Sequence, residues 1–310
     1  MNKEFRREVF KRVLKKLFFL LLLVTLLVII TSVPVNFNLD YYDGDFQINT
    51  TWKEIHENIK ENLFLLYSGK IFRVPFDNQS LGNLLGVTAL RSFSVFLFGL
   101  LLGLLWGVPK GILDRKKIHK KGTFKTLQKI LPFSLPEILV VLGIQLLGAF
   151  LYRNQWSPIP HAGYSSWLNT IYPILAISVL PGAYIAKTTA EALQEEGKEP
   201  YIRVARGKGC GPYRLFRVHY FRGIVMELFG AFPTILVMMF SSLVIIERMF
   251  YFPGLTYYLV EFYTNEMGNV HRAGIGFTLF IVALGVFYYM IFQLAEFMKT
   301  WAIPQKEKSP

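Results

Sequence analysis

Tyr201, Arg203, Ala205, Arg206 and Gly209 belong to the one stretch of this 310-residue chain whose residue types and spacing point to a defined task. Pro200 precedes the stretch, and Gly207, Gly209, Gly211 and Pro212 close it. Proline suits a first helical turn, where its missing N–H is an orphan donor anyway, and glycine stops a helix; the spacing predicts about two to three turns. On such a helix Tyr201, Val204, Ala205 and Lys208 share one face, while Arg203 and Arg206 project elsewhere. A helix this short is marginal alone and needs a surface to dock on. Its mix of small, aromatic and arginine side chains suits a protein groove; lying flat on lipid headgroups is the alternative. That chemistry is recognition and not bond-making. No Gly-x-Ser-x-Gly, His-Glu-x-x-His or Gly-x-x-x-x-Gly-Lys-Ser/Thr run occurs, so a catalytic serine, a zinc-peptidase helix and a nucleotide phosphate loop are not signalled. The single Cys210 excludes an internal disulfide and a cysteine-based metal site, and the five histidines are scattered; no cofactor or metal is expected.

The elements that must position this stretch are membrane spans. The chain is 53% hydrophobic and 18% charged, whereas soluble domains carry about 25% charged residues. Apolar runs of roughly spanning length cover residues 17–33, 92–108, 130–152, 167–187, 223–246 and 273–298, which predicts an all-α protein with six transmembrane helices. Of 34 lysines and arginines, 26 fall in residues 1–16, 109–129, 187–222 and 299–310. The positive-inside rule then places those segments and both termini in the cytoplasm. The net charge of +13 is explained by contact with anionic lipid, and no nucleic-acid partner is expected. The basic start and first apolar run could be read as a secretory leader, but the run is long and Thr31, Ser32, Val33 and Pro34 make a poor cleavage site, so a retained anchor is favoured.

The expected organisation is a basic N-terminus and first helix over 1–33, an extracytoplasmic segment over 34–86, a five-helix core over 87–300 with a cytoplasmic loop at 188–222, and a cytoplasmic tail over 301–310. Within the outer segment, Trp52, Ile55, Ile59 and Leu63 keep helical spacing, with Thr50 or Thr51 as N-cap. A small external helix is expected there.

The loop resembles a known family, the membrane-spanning permeases of ABC importers of the oligopeptide, dipeptide and nickel type. Residues 201–209 look like that group's cytoplasmic EAA loop, usually tyrosine-x-arginine-x-alanine-arginine-alanine-lysine-glycine, and His219 and Arg222 fall in its continuation. A second match runs from Glu247 through Phe250, Pro253 and Gly254 to Leu255, similar to the family's glutamate-x-x-phenylalanine-x-x-proline-glycine-leucine. The resemblance covers residues 80–300 in the right order. It implies a type I importer permease of a prokaryotic cytoplasmic membrane, moving peptides by alternating access, with nickel chelates or another small solute as the alternative cargo. It implies that Tyr201, Arg203, Ala205, Arg206 and Gly209 couple the chain to an ATPase, and that Glu247, Phe250, Pro253 and Gly254 shape or gate an outer vestibule. The implied partners are a second permease subunit, two cytoplasmic ATPase subunits, an extracytoplasmic solute-binding lipoprotein and membrane lipid. The chain itself is then not an enzyme. The family's proline after Arg222 is absent here, where Gly223 and Ile224 follow, so the start of the fifth span departs from the pattern.

Two rivals come from other classes: a membrane enzyme, which lacks a nucleophile motif, and an ATPase-independent channel or scaffold. Among ionisable residues near spans, Glu227, Glu296 and Lys187 read as groups reaching the headgroups, and Glu137 as a pore-facing candidate. Gly99, Gly103 and Gly107 form a four-residue stripe that permits close helix contact.

Overall fold

The computed structural model describes residues 3–32, 39–42, 45–48, 52–76, 79–114, 136–264 and 270–302. In chain order these form helix α1 (Lys3–Ser32), strands β1 (Leu39–Tyr42) and β2 (Asp45–Ile48), α2 (Trp52–Tyr67), β3 (Pro75–Phe76), β4 (Gln79–Ser80) and α3 (Leu81–Asp114). There follow α4 (Glu137–Arg153), α5 (Ile171–Lys198), α6 (Pro200–Gly207), the single turn α7 (Pro212–Leu215), a π-helical turn Phe216–Tyr220, α8 (Phe221–Met249), α9 (Leu255–Thr264) and α10 (Val270–Ala302).

Five helical stretches are long and apolar enough to cross a membrane: Leu14–Ser32, Leu81–Asp114, Trp167–Lys198, Tyr213–Met249 and Ala273–Phe297. The remaining expected span is α4, whose 17 residues cover about 25 Å at 1.5 Å per residue, just short of the hydrocarbon thickness. Its expected beginning near residue 130 lies outside the described residues. The helical architecture matches the six-span reading, with two additions of strand. β1 pairs antiparallel with β2 in the register Leu39↔Ile48 to Tyr42↔Asp45, and β3 pairs with β4. The external helix expected near residues 52–63 is present as α2; the proposed caps Thr50 and Thr51 lie outside the described residues.

The chain divides into two compact units. The first holds residues 1–91 and 254–290. There α1 lies along α10: a Cβ at Gly285 would sit 2.6 Å from Leu27 Cδ1, and Tyr289 donates its hydroxyl to the Lys16 carbonyl at 2.8 Å. The buried hydroxyls of Thr31 and Thr278 meet at 3.2 Å, and Asn62 Nδ2 donates to Ser32 Oγ at 3.0 Å, which pins α2 to α1. Buried hydroxyls and amides survive because each finds such a partner. α9 is held by aromatic packing, with Phe262 edge-on to Phe76 and to Phe280 at 4.9 and 5.2 Å between ring centroids.

The second unit holds residues 92–253 and 291–310. Its α3 portion meets α5 through small residues. A Cβ on Gly103 would stand 3.5 Å from Gly182 N, on Gly107 2.6 Å from the Gly182 carbonyl, and on Gly111 2.5 Å from the Ala186 carbonyl. The stripe therefore serves packing within the chain, and it extends one residue further than Gly99, Gly103 and Gly107. Trp106 closes over Gly182 from the α3 side, its Cε2 2.3 Å from a built Cβ. Dispersion across a surface this close compensates for the side chains that are missing.

Candidate functional site

α5 does not stop at residue 187 but runs on to Lys198, because Thr188 to Lys198 is rich in alanine, glutamate and other good helix formers. Glu199, held extended (φ −60°, ψ 137°) by the following proline, makes the corner, and Pro200 opens α6 at its first turn. α6 has eight residues. Its end is a Schellman motif: Cys210 N donates to the Ala205 carbonyl at 3.1 Å, Gly209 N to the Arg206 carbonyl at 3.0 Å, and Gly209 takes φ +77°. Glycine is favoured at that point by backbone conformation and not by crowding, since nothing lies within 4 Å of a built Cβ.

Ile202 anchors α6. It is fully buried in a cluster with Ala192, Leu193, Leu215, Tyr220 and Ile224, against which Ala205 and Cys210 also pack. The inward face is thus Ile202 and Ala205, one helical turn apart, and Ala205 belongs to it as well as to the face shared with Tyr201, Val204 and Lys208. Those last three point outward, with Tyr201 44% and Val204 55% exposed. Tyr201 donates its hydroxyl to Glu196 Oε1 and lies 5.5 Å, centroid to centroid, from the His219 ring. Arg203 Nη2 donates to the Lys198 carbonyl at 3.2 Å, and Arg206 Nη2 to Tyr220 Oη at 2.8 Å. The arginines therefore brace the loop while an apolar and basic face stays open.

The second motif closes α8. Glu247 is fully buried, and its Oε1 accepts from Ser92 Oγ at 2.5 Å. The helix ends in another Schellman motif: Phe252 N donates to the Glu247 carbonyl at 2.9 Å and Tyr251 N to the Arg248 carbonyl at 3.2 Å. The last carbonyls are also satisfied from other segments, Met249 by Gln145 Nε2 at 2.7 Å and Phe250 by Gly163 N at 2.8 Å. Phe250 is buried, and Phe252 stacks edge-on to Tyr164 at 5.3 Å. Pro253 follows and is half-buried. In the first unit, Gly254 accepts the Tyr258 N–H at 3.3 Å as α9 begins, and Leu255 enters the core.

Residues 87–297 match a family described as binding-protein-dependent transport system inner membrane components. The chain belongs to this family. As a transport permease component it is a multi-pass membrane protein of a binding-protein-dependent system. It is 28% identical over 178 residues to the dipeptide transport system permease protein of Bacillus subtilis (strain 168), covering 57% of this chain and 53% of that one. It is 26% identical to the di/tripeptide transport system permease protein of Pseudomonas aeruginosa (strain UCBPP-PA14), over 59% and 49% of the two chains. A peptide transport system permease protein of Brucella abortus (strain 2308) is 25% identical over 245 residues, 76% of each chain. The chain thus spans about half the length of the Bacillus and Pseudomonas relatives it matches.

In this permease component the structure brings the loop residues into one corner and Glu247 and Phe250 into one helix end. Glu227 and Lys187 are exposed, and Glu137 is half-buried at the start of α4. Sequence reasoning missed Ile202 as the anchor, Tyr220 as the partner of Arg206, and Ser92, Gln145 and Gly163 around the end of α8. Ile202 was detectable as the largest aliphatic side chain of the run. The others lie far away in sequence or in a turn type without a sequence signature.

The two Schellman ends make opposite predictions at the same motif position. Tyr251 sits where Gly209 does, at φ +49°, a region that costs an L-residue about 1 kcal/mol. Tyr251→Gly is expected to leave stability unchanged or raise the melting temperature by about 1–3 °C, since the ring is 62% exposed. Gly209→Ala is expected to lower it by a similar amount. Thermal unfolding in detergent, followed by intrinsic fluorescence, checks both signs.

Proposed function

We propose that the chain is the transmembrane permease subunit of an ATP-driven importer of peptides, working by alternating access. The single observation that carries this reading is α6: a capped, anchored two-turn rod that holds Tyr201, Val204 and Lys208 outward. Such a face fits a cleft on an ATP-hydrolysing subunit, and Arg203, Arg206, Ala205 and Gly209 hold it in shape. Two such ATPases, a second permease subunit and an extracytoplasmic solute-binding lipoprotein complete the system. Hydrolysis belongs to the partners, as the chain has no phosphate loop. Both termini and loop 188–222 face the cytoplasm, following the lysine and arginine distribution. Residues 34–86 face outward and 87–300 carry the transport path.

A motor changes the permease only through unequal affinity for its two states; full switching from 1:99 to 99:1 needs about 5.5 kcal/mol. Nucleotide-driven closure of the paired ATPases supplies that difference through α6. Glu247, Phe250, Pro253 and Gly254 then shape or gate the outer vestibule. The printed names of the relatives favour peptides as cargo, and nickel chelates are the second reading.

The test is uptake into proteoliposomes holding the assembled importer. ATP-dependent accumulation of a labelled dipeptide is expected. Preferential accumulation of a nickel chelate would move the chain to the second cargo class, and equal flux without ATP would show an autonomous channel.

A further inference from the structure

The π-helical turn Phe216–Tyr220 lies between α6 and α8, and two of the motif residues grip it. Arg206 Nη2 donates to the Tyr220 hydroxyl at 2.8 Å, although Tyr220 is 3% exposed. The Tyr201 ring lies against His219 at 5.5 Å. On the opposite side Tyr201 donates to Glu196, whose carboxylate occupies the space a side chain at position 223 would need: a Cβ on Gly223 would be 2.9 Å from Glu196 Oε2. A π turn is an uncommon, wide turn that recurs at functional sites, and removing its extra residue would rotate everything beyond it by about 100°. α8 therefore begins on a π turn that α6 holds.

We propose that Arg206 with Tyr220, and Tyr201 with His219, latch the coupling helix to the π turn, so that displacement of α6 becomes rotation of α8. The inference rests on the coupling reading above and assigns Tyr220 and His219 as positioning residues for transport. It gives the signature arginine Arg206 an inward duty, distinct from the outward face of Tyr201, Val204 and Lys208. Free energy passed between sites needs an element with two arrangements that both sites bias, and the proposed latch gives the π turn that part.

The test uses the assembled importer in proteoliposomes and measures dipeptide transported per ATP hydrolysed, with ATPase co-purification as a parallel readout. Tyr220→Phe removes one oxygen and keeps the ring in its cluster. The ratio is expected to fall by about tenfold, while the ATPases remain bound. Arg206→Ala should lower it similarly, Arg206→Lys should retain most of it by keeping a donor, and the Arg206→Ala/Tyr220→Phe double variant should be no worse than either single one. An unchanged ratio in Tyr220→Phe, a parallel fall of transport and hydrolysis, or multiplying effects in the double variant would overturn the latch. Absence of ATPases from the wild-type preparation would instead overturn the coupling reading, and the latch with it.

Discussion

Val204→Asp releases the ATP-hydrolysing subunits from the permease and leaves the permease folded: this is the largest effect expected at the loop. Val204 is 55% exposed and is not part of the cluster that anchors α6 through Ile202, so the substitution changes stability by no more than about 0.5 kcal/mol. In the proposed docked state the same side chain would be desolvated. A carboxylate there has Lys208, four residues on, as its nearest same-face cation, and taking even a paired charge out of water into a cleft that receives an apolar side chain costs several kcal/mol unless the geometry is excellent. Loss of a central interface residue commonly costs 2 kcal/mol or more, so affinity for the ATPase should fall at least about 30-fold. Pull-down of the ATPases by the tagged permease measures this, with the melting temperature of the isolated permease as the control. Retained ATPase binding would show that the outward face of α6 is not the dock.

Gly107→Leu is expected to collapse the packing of α3 on α5. A Cβ there would meet the Gly182 carbonyl at 2.6 Å and Ile185 Cγ2 at 3.0 Å. The carbonyl belongs to the α5 backbone and cannot rotate away like a side chain. Overpacking of this kind costs about 3 kcal/mol or more, which corresponds to a loss of about 6–12 °C in melting temperature. Gly86→Leu on the same helix is the control, because nothing lies within 4 Å of its built Cβ. There the gain in helix propensity should leave stability equal or slightly higher. Equal melting temperatures for the two variants would contradict the close approach of α3 and α5.

Long apolar runs made most of the helices legible in the sequence, since a bilayer demands about 20 residues whatever else the chain does. Their ends were less so. α5 continues to Lys198 because helix propensity takes over where hydropathy stops, and the helix ends only where Pro200 fixes Glu199 in an extended conformation. The pairing of β1 with β2 was not read from the sequence, where its signal is no more than the strand-forming Tyr41, Tyr42 and Phe46. Hydropathy alone passes over such a signal. In the loop, Pro200 and Gly209 marked both ends of α6, as their backbone preferences are local properties. The orientation of α6 about its axis was not legible in full. Tyr201, Val204, Ala205 and Lys208 form a face by spacing, but the burial of Ile202 decides which side turns inward, and the cluster that receives it draws on Leu193, Leu215 and Ile224. Ser92 and Glu247 lie too far apart in sequence for any local rule to join them.

Crosslinking from position 204 tests the central claim most directly. The chain has a single cysteine, so Val204→Cys in a Cys210→Ala background gives one reactive thiol on the outward face of α6. A bifunctional maleimide reagent applied to inside-out vesicles should join this chain to an ATPase subunit, with a yield that changes between nucleotide-free and ATP-bound states. Labelling of the thiol by an impermeant maleimide from the extracytoplasmic side, or crosslinks to lipid alone in every nucleotide state, would contradict the account.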